Sequence, residues 1–365
     1  MNNKFIISGG GTGGHIFPAL SIANALKKNL PNAEILFVGA NGRMEMERVP
    51  VAGYPIKGLP VSGFDRKNIL KNIKVLINFV RSYYLAKKIV REFHPDVVIG
   101  VGGYASAPTL RAAASLNIPT LIQEQNSYAG VTNKILARKA RKICVAYEGM
   151  DQFFPSEKIV MTGNPIRQEL LTVPHGAPVA YEHFGLDPAK KTLLVVGGSL
   201  GARTINESIL EHIDELAASG IQVIWQTGKY YYEQVRNKAG KYISKSFIVT
   251  EFVSRMDYGY AVADLVVSRA GASSVSELSL LAKPVILVPS PNVAEDHQTK
   301  NAMALVNRQA AELVKDNEAK ELLVKKALEL IADTDKLKSL SENIAKMALK
   351  NSAESIASEV IKLAR

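Results

Sequence analysis

Residues 4–20 read KFIISGGGTGGHIFPAL. A short apolar run stops at six glycine and threonine residues, and apolar residues from Ile16 onward then recur at helical spacing. The pattern predicts a strand, a glycine turn and the start of a helix. In such a turn, backbone N–H groups at the positive end of a helix can approach a phosphate closely. His15 follows the glycines and places a titratable side chain where the phosphate or sugar would lie.

The same stretch contains the G-x-G-x-x-G dinucleotide pattern, at Gly9, Gly11 and Gly14. The full fingerprint also needs an acidic residue about 20 positions further on, at the end of the second strand. Here the expected second strand, 35–38, is followed by the tripeptide GAN, which has no carboxylate. The sequence therefore disfavours a nicotinamide or flavin oxidoreductase, the alternative from a different class of enzyme.

Length and composition describe a chain long enough for two domains. It has 365 residues, of which 47% are hydrophobic, so a sizeable core is available. The one cysteine, Cys144, excludes an internal disulfide, and we expect it to be a buried strand residue rather than a nucleophile. No apolar run approaches the roughly 18–20 residues of a membrane span, and a signal-peptide pattern is missing. We expect a soluble protein that at most lies on a surface.

The net charge of +11 is confined to the first half of the chain. Residues 1–164 hold 21 Lys and Arg against 10 Asp and Glu, whereas residues 165–365 hold 24 of each. This split indicates that one domain meets an anionic partner. Because the aromatic residues of the basic stretch are not interleaved as stacking platforms, we expect no nucleic-acid partner.

Short apolar runs alternate with helical patterns through both halves, which is typical of parallel strands covered by helices on both faces. The expected strands are 4–8, 35–38, 97–99, 120–122, 142–145 and 158–161 in the first half, and 192–196, 221–225, 246–249, 265–268, 285–288 and 311–314 in the second. The fold class is therefore α/β, with two Rossmann-like domains whose parallel sheets face a cleft. The expected hinge is Gly163-Asn164-Pro165.

Residues 66–91 form a long basic helix candidate with two interpretations. Its apolar stripe comprises Ile69, Ile73, Leu76, Ile77, Val80 and Tyr84, widened by Val75, Phe79 and Tyr83, and the opposite face carries Lys67, Lys71, Lys74, Arg81 and Lys88. The first interpretation buries the stripe in the core and leaves a solvated back. The second is an interfacial helix on anionic lipid, with contacts from Lys71, Lys74, Val75, Phe79 and Tyr83. The charge split slightly favours the second.

Two turns in the second half have the composition of a nucleotide site. GGSLGAR at 197–203 follows a strand, and Ser199 with the neighbouring amides could hold a diphosphate. SRAGASSVSE at 268–277 follows another strand, and Glu277 could accept both hydroxyls of a ribose. The simpler roles are tight strand–helix packing for the first turn and, for the second, capping by Ser273 or Ser274 with Glu277 as partner.

Further candidate groups follow other expected strands. GVGGYAS at 100–106 is a second phosphate-sized turn in the basic half, and the polar run QEQN at 123–126 is expected to line the cleft. Arg167 could pair with a diphosphate or form an exposed salt bridge. His297 lies beside Gln298 and could contact a ligand, whereas the other histidines lack the spacing of metal ligands.

Seven motifs, taken together and in order, resemble a known family. They are GGGTGGHIFPAL, GVGGYAS, EQN, GNPIR, GGSLGAR, SRAGASSVSE and EDHQTKNA, and they span nearly the whole chain. The chain is similar to the bacterial peptidoglycan UDP-GlcNAc:lipid I N-acetylglucosaminyltransferases of glycosyltransferase family 28. The resemblance implies the GT-B architecture. Residues 1–164 would face acceptor and membrane, residues 165–346 would bind UDP-GlcNAc, and a last helix at about 347–365 would cross back onto the first domain.

The resemblance also implies which residues bind the substrates. UDP-GlcNAc would be contacted by Thr12, Gly13, Gly14 and Asn126 from the first domain and by Arg167, Ser199, Val253, Ala272, Ser273, Ser274, Val275, Ser276, Glu277 and Gln298 from the second. Glu277 would hold the ribose, backbone groups at 251–253 would meet uracil, and either His297 or Gln298 would make the last contact. The acceptor diphosphate of lipid I, undecaprenyl-diphosphate-MurNAc-pentapeptide, would lie at Gly11, Gly102, Gly103 and Tyr104.

The implied reaction is an inverting transfer of GlcNAc to the MurNAc 4-hydroxyl, giving lipid II at the cytoplasmic face of the cell membrane. His15 would be the general base, because a histidine near neutral pKa suits that role, or would only orient the diphosphate. No cofactor and no metal are expected. The remaining alternatives are a UDP-GlcNAc 2-epimerase, a transferase acting on another lipid and a non-catalytic sugar-nucleotide-binding subunit.

Overall fold

A computed structural model describes residues 3–11, 13–63 and 69–364 and divides the chain into two compact units. The first unit consists of residues 1–167 and 349–365, and the second of residues 168–348. The chain leaves the first unit after Arg167, close to the hinge expected at 163–165, and returns to it at Leu349.

The first unit is built on a parallel sheet. Within the described ranges its strands are β1 (Lys4–Ser8), β2 (Glu34–Ala40), β3 (Ile56–Leu59), β4 (Val97–Gly100), β5 (Thr120–Glu124), β6 (Lys142–Val145) and β7 (Ile159–Met161). They lie in the order β3-β2-β1-β4-β5-β6-β7, and the paired strands are parallel. Because the order reverses between β1 and β4, the loops after these two strands lie side by side.

The second unit repeats this arrangement. Residues 168–348, whose backbone is described without a gap, contain β8 (Thr192–Val196), β9 (Gln222–Gln226), β10 (Phe247–Thr250), β11 (Leu265–Ser268), β12 (Val285–Leu287) and β13 (Glu312–Leu313). The order is β10-β9-β8-β11-β12-β13, again with parallel pairs, and it reverses between β8 and β11. The prediction of two Rossmann-like α/β domains with parallel sheets is confirmed.

Central strands read as apolar runs because both of their faces are covered. In β1, Phe5 and Ile7 enter one hydrophobic cluster and Ile6 enters the other, as the alternation of side chains along a strand requires. Cys144 is fully buried in β6, as expected, and burial raises the pKa of its thiol to about 12. The apolar run that opens the chain therefore occupies the centre of the first unit.

The edge strand β3 was not expected from the sequence. It has four residues, IKGL, contains an exposed lysine and a glycine, and is flanked by Pro55 and Pro60. It pairs only with β2, so it lacks the second neighbour that makes a central strand strongly apolar.

Helices cover both sheets. The first unit contains α1 (Gly13–Asn29), α2 (Glu45–Val51), α3 (Ile69–Phe93), α4 (Ser106–Ser115) and α5 (Val131–Ala137). The second contains α6 (Pro178–Phe184), α7 (Arg203–Glu211), α8 (Ile213–Ala218), α9 (Tyr232–Ala239), α10 (Met256–Val262), α11 (Ala272–Leu280), α12 (His297–Val306), α13 (Ala319–Ala332) and α14 (Thr334–Ala345). The last helix, α15 (Ser352–Ala364), belongs to the first unit.

The long helix α3 buries a different face from the stripe expected for the core. Residues of that stripe are exposed by 47% to 65%: Ile73, Leu76, Ile77, Val80 and Tyr84. The buried face instead contains Val75, Ser82, Ala86, Ile89 and Val90. The interpretation of the stripe as a core face is therefore wrong. The small side chains at 82 and 86 lie on the face that packs inward, and a hydrophobic stripe alone does not reveal this.

This orientation also corrects one of the expected membrane contacts. Val75 is only 8% exposed, so it is not available to a membrane surface. Phe79 and Tyr83 are half-buried and line a cavity of about 480 Å³ with residues of α4 and α5. The side chains of Lys71 and Lys74 lie outside the described part of the chain.

The returning helix α15 completes the core of the first unit. Its residues Ala353, Ile356, Ala357 and Val360 join the hydrophobic cluster that contains Phe5 and Ile7 of β1. Ile356 is completely buried there. The first unit therefore depends on the last residues of the chain for part of its core.

Replacing Ile356 by Ala should lower the free energy of unfolding by about 2–5 kcal/mol, because it removes buried methyl groups and leaves a cavity. Urea denaturation of the full chain measures this loss. Ser358→Ala, on the exposed side of the same helix, should change it by less than about 0.5 kcal/mol. An equal effect of the two substitutions would show that α15 does not contribute to the core.

Candidate functional site

The two glycine loops of the first unit meet backbone to backbone. They follow β1 and β4, the strands between which the sheet order reverses. A Cβ atom on Gly103 would lie 2.4 Å from the carbonyl oxygen of Gly10, and one on Gly9 would lie 2.3 Å from Cγ2 of Val101. Because no side chain fits at these distances, glycine is required for the loops to meet beside the start of α1.

His15 lies in the first turn of α1, against the second glycine loop. A Cβ atom on Gly102 would lie 2.7 Å from Cδ2 and 2.8 Å from Nε2 of His15, so the imidazole edge contacts the glycine backbone. The histidine is half-buried. The structure thus brings His15, Gly102 and Gly103 together. Gly13 and Gly14 lie in the same helical turn, whereas Thr12 lies outside the described residues.

Tyr104 follows this loop and is 51% exposed. A Cβ atom on Gly63 would lie 2.3 Å from the Tyr104 hydroxyl oxygen, so the phenol ends against the backbone of Gly63. Its exposed ring leaves Tyr104 accessible to a ligand at the second glycine loop.

The first glycine loop is held by a buried carboxylate. Glu45, 1% exposed, accepts the Gly11 N–H at 2.8 Å through Oε2 and the Ala40 N–H at 2.9 Å through Oε1. The prediction that Gly11 binds the acceptor diphosphate is therefore wrong as far as its N–H group is concerned. That donor is already satisfied, and the adjacent negative charge repels an anion.

Buried amides connect the ends of the next strands to the hinge. Gln123 Nε2 donates to Asn164 Oδ1 at 2.9 Å, and Asn164 Nδ2 donates to the Gln125 carbonyl oxygen at 2.9 Å. Gln125 Nε2 donates to the Val101 carbonyl oxygen at 2.6 Å, below the second glycine loop. Gln123 and Gln125 are thus buried supports, not the cleft-lining residues that the sequence predicted.

The loop that carries Asn126 is ordered by Glu124. One carboxylate oxygen accepts the Asn126 N–H at 3.1 Å and its Nδ2 at 3.2 Å. The other accepts the Gly130 N–H at 3.1 Å and Asn133 Nδ2 at 2.8 Å. Asn126 is therefore fixed at the carboxyl end of β5, in the position expected for a ligand-binding side chain.

Arg167 belongs to the first unit, not to the second as expected. The segment before it packs on α1: Ile166 is buried, and its carbonyl oxygen accepts the Ser21 hydroxyl at 3.2 Å. The Arg167 guanidinium lies 5.5 Å from the centre of the Phe17 ring, and Phe17 is two residues from His15 on the chain. Because residue 166 packs on α1, Arg167 belongs to the first unit.

In the second unit, the loop at 197–202 is folded against the loop after β9. A Cβ atom on Gly228 would lie 2.0 Å from the Gly201 nitrogen, and one on Gly201 would lie 2.3 Å from the Thr227 carbonyl oxygen. Ser199 is exposed on this loop, and its carbonyl oxygen accepts the Lys229 N–H at 3.0 Å. The loop thus presents Ser199 outward at the carboxyl edge of the sheet.

Gln226, the last residue of β9, supports this loop and the predicted uracil segment together. Its Nε2 donates to the Gly198 carbonyl oxygen at 3.2 Å, and its Oε1 accepts the Val253 N–H at 2.9 Å. The Val253 N–H is therefore already bonded, and the Val253 side chain is buried. A base at 251–253 would have to use other backbone groups, beside the half-exposed ring of Phe252.

The helix α11 begins directly after β11 without a side-chain cap. Gly271 occupies the N-cap position, so the simpler alternative, capping by Ser273 or Ser274 with Glu277 as partner, is wrong. The Ser273 hydroxyl oxygen is buried and has no hydrogen-bond partner. An uncapped helix start with an orphaned hydroxyl has the donors that an anion needs. Val275, in contrast, is buried with its side chain in the protein.

Glu277 and Gln298 are held by neighbouring groups. Glu277 is 7% exposed, and its Oε2 accepts the Tyr260 hydroxyl at 3.3 Å. Gln298 lies in the first turn of α12, where its Oε1 accepts the Ser290 N–H at 2.8 Å. The Gln298 side-chain oxygen is therefore used by a hydrogen bond within the protein. The side-chain NH₂ is the group that remains to donate to a ligand.

Comparison with known proteins identifies the family. Residues 5–145 match the glycosyltransferase family 28 N-terminal domain, and residues 192–359 match its C-terminal domain. A relative from Phocaeicola vulgatus is 62% identical over 364 residues, 100% of this chain and 97% of its own length. It is named UDP-N-acetylglucosamine--N-acetylmuramyl-(pentapeptide) pyrophosphoryl-undecaprenol N-acetylglucosamine transferase. The chain belongs to glycosyltransferase family 28.

Other members and solved structures agree with this assignment. A relative with the same name from Bacteroides fragilis is 62% identical over 365 residues, 99% of this chain and 96% of its own. The crystal structure of Acinetobacter baumannii MurG superposes with a TM-score of 0.79 at 26% identity, covering 98% of this chain and 99% of that one. A UDP-N-acetylglucosamine 2-epimerase has a TM-score of 0.69 at 15% identity over 98% and 95%, which shows a shared fold alone.

Sequence reasoning missed three residues that shape the sites of this family 28 chain: Glu45, Gln226 and Tyr260. Gln226 and Gln123 both lie at or near the carboxyl end of an apolar strand, where a polar residue is a usable signal. Glu45 and Tyr260 gave no such signal, because each reaches its partner from a helix distant in sequence.

None of the described helices is long and apolar enough to cross a membrane. In the described part of the chain, no three His, Cys, Asp or Glu side chains lie together as a set of metal ligands.

Replacing Glu45 by Gln should lower the free energy of unfolding by about 1–3 kcal/mol, because the amide NH₂ cannot accept one of the two backbone N–H groups. Urea denaturation measures this change. Glu47→Gln, an exposed substitution in the same helix, is the control and should have little effect. Equal stability of the two variants would mean that Glu45 does not hold the loop.

Proposed function

We propose that this chain transfers GlcNAc from UDP-GlcNAc to lipid I and so forms lipid II for peptidoglycan synthesis. The observation that carries the proposal is the 62% identity, over 100% of the chain, to a relative named for this transfer. The similarity extends over both units and the last helix. Each unit also has a site whose chemistry suits one of the two substrates.

The donor would bind mainly to the second unit. The N–H groups of Ala272, Ser273 and Ser274 have no acceptor within α11, and the orphaned Ser273 hydroxyl adds a further donor. Together with the exposed Ser199 they would bind the diphosphate. The Glu277 carboxylate would accept the two ribose hydroxyls, held in place by the Tyr260 hydroxyl.

The acceptor would bind to the first unit. Since the Gly11 N–H is bonded to Glu45, the acceptor diphosphate would lie at the second glycine loop, at Gly102, Gly103 and Tyr104. His15 contacts that same loop. The loop would thus place the MurNAc sugar next to the imidazole.

The reaction would be a single displacement at the anomeric carbon of GlcNAc. His15 takes the proton of the MurNAc 4-hydroxyl as that oxygen forms the new glycosidic bond. The bond to the UDP oxygen breaks with its electron pair, and the configuration inverts. General-base help of this kind contributes about 10²–10⁴-fold. The remainder would come from positioning and from the amides and Arg167, which stabilise the departing diphosphate.

His15→Ala should reduce transfer by about 10²–10⁴-fold while the affinity for UDP-GlcNAc stays within about twofold, because the base is lost and the donor site is not. The assay uses purified protein, UDP-[¹⁴C]GlcNAc and a short-chain lipid I analogue, with UDP release followed in parallel. The control is His94→Asn, an exposed position whose positive φ suits asparagine.

The outcomes separate the alternatives. Label in the lipid with stoichiometric UDP supports the transferase. UDP release without labelled lipid would indicate an epimerase or a hydrolase instead. A parallel loss of donor affinity and rate in His15→Ala would make His15 a binding residue.

The exposed apolar stripe of α3 would bind the cytoplasmic face of the cell membrane. The chain would then be a peripheral membrane protein. The stripe residues Ile73, Leu76, Ile77 and Val80 are 47% to 60% exposed, and Arg81 and Lys88 are also exposed. Exposed apolar side chains flanked by basic residues favour an anionic lipid surface, with about 1 kcal/mol per basic residue. The basic first half and the lipid-linked acceptor support the same location.

The double substitution Leu76→Asp and Ile77→Asp should weaken binding to anionic vesicles at least about tenfold, because it removes apolar area that enters the interface. Co-sedimentation with phosphatidylglycerol vesicles measures it. Leu322→Asp, 44% exposed on the second unit, is the matched control.

A second set of variants tests the contribution of the basic residues to vesicle binding. Charge reversal at Lys71, Lys74 and Arg81 should weaken vesicle binding and reduce its dependence on salt. Vesicle binding that is unchanged in both sets of variants would remove α3 from the membrane contact.

A further inference from the structure

A second cavity lies at the edge of the second sheet opposite to the proposed donor site. It has a volume of about 320 Å³ and is lined by residues that precede three neighbouring strands: Lys191 before β8, Asp264 before β11 and Lys283 before β12. Thr334 and Lys338 of α14 also line it. The donor turns lie at the carboxyl ends of these strands, so the proposed transfer does not use this cavity.

Lys283 is a buried cation that forms no salt bridge among the described residues, although the charge of Asp264 acts on it. It is 5% exposed, and its Nζ donates to the Ala263 carbonyl oxygen at 3.0 Å and lies 2.8 Å from His175 Nδ1. The nearby carboxylate of Asp264 is engaged elsewhere, with Lys191 Nζ at 3.0 Å and the Thr192 N–H at 2.8 Å. Burial lowers the pKa of Lys283 to about 8. A buried charge of this kind is costly unless an anion pairs with it.

His175 supplies one of the two hydrogen-bond acceptors of Lys283. Its Nδ1 lies 2.8 Å from Lys283 Nζ and also 2.8 Å from the Ala261 carbonyl oxygen, which accepts the Gly176 N–H at 2.9 Å. An ammonium can only donate, so Nδ1 must accept from Lys283 and cannot at the same time donate to the carbonyl. The Lys283 ammonium thus has two acceptors on the protein side, His175 Nδ1 and the Ala263 carbonyl oxygen, and its third N–H is left for a ligand.

The cavity supplies the surroundings that an anion requires. Three lysines and one aspartate line it, and that aspartate is bonded to one of the lysines. Thr334 lines it from the start of α14, a helix N-terminus that the Asp333 carboxylate caps by accepting the Lys336 N–H at 2.9 Å. A volume of about 320 Å³ is at the lower end of the range of small-molecule pockets, about 300–1,000 Å³.

We infer that this cavity binds a small phosphate-bearing anion, with Lys283 as its buried counter-charge and Lys191 and Lys338 as further ligands. Lysine binds phosphate as a point charge, and three of them converge here from different elements. The shared chemistry is a phosphate dianion, either free phosphate or a phosphomonoester. The site is independent of the proposed transfer, since it lies at the amino ends of the strands.

The test is thermal unfolding of the full chain. Saturating UDP is present to occupy the proposed donor site, so that the added phosphate does not bind there. Inorganic phosphate, and separately glycerol 3-phosphate, are titrated at constant ionic strength. The melting temperature should rise in a saturable way, because only the folded state binds the anion. If glycerol 3-phosphate has a lower dissociation constant than inorganic phosphate, the ligand of the cavity is a phosphomonoester. If its dissociation constant is equal or higher, the ligand is free phosphate.

The deciding variant is Lys283→Met, which should weaken phosphate binding at least about tenfold by removing a charged donor. It should still fold, because an apolar side chain of similar length replaces a buried charge. Lys238→Met, an exposed position on α9, should bind as the unmodified chain does.

If Lys283→Met does not fold, Lys338→Gln at an exposed position is the substitute and should weaken binding severalfold. An unchanged phosphate response in the folded variant, or no saturable response in the unmodified chain, would overturn the inference.

Discussion

The structure depends on backbone segments that approach each other more closely than a Cβ atom allows. In the first unit Gly103 contacts Gly10, and in the second Gly228 contacts Gly201, each across loops that follow neighbouring strands. These contacts place two turns side by side at the carboxyl edge of each sheet. Any side chain at these positions would separate the turns, and with them the groups proposed to hold the two diphosphates.

Buried polar side chains keep these turns in place. Glu45 in the first unit and Gln226 in the second each bond two backbone groups from separate segments. Inside a protein, such groups are stabilising only when every donor and acceptor is satisfied. The consequence for function is that several conspicuous polar residues support the loops from below. The groups proposed for the substrates are His15 in the first unit and, in the second unit, Ser199 and the start of α11.

The helix α3 illustrates how function and stability compete for apolar side chains. Its inward face combines the small residues Ser82 and Ala86 with larger ones such as Ile89, while Ile77 and other large apolar residues remain exposed. A helix that only had to fold would bury the larger side chains. Their exposure, together with the basic first half, is the observation on which the proposed membrane contact rests.

The sequence by itself determined the strands, the glycine turns and the family. Strands buried on both faces and glycine turns leave local signals, so twelve of the described strands and the turns after β8 and β11 were predictable. The edge strand β3, with one neighbour, left no such signal.

Only the tertiary structure decided which polar groups are available to a ligand. Gly11 donates to Glu45, Val253 donates to Gln226, and Arg167 packs with the first unit, each through a contact between distant parts of the chain. It also decided which face of α3 is buried. Such choices depend on shape and on satisfied hydrogen bonds across elements, and periodicity along a single segment contains no information about either.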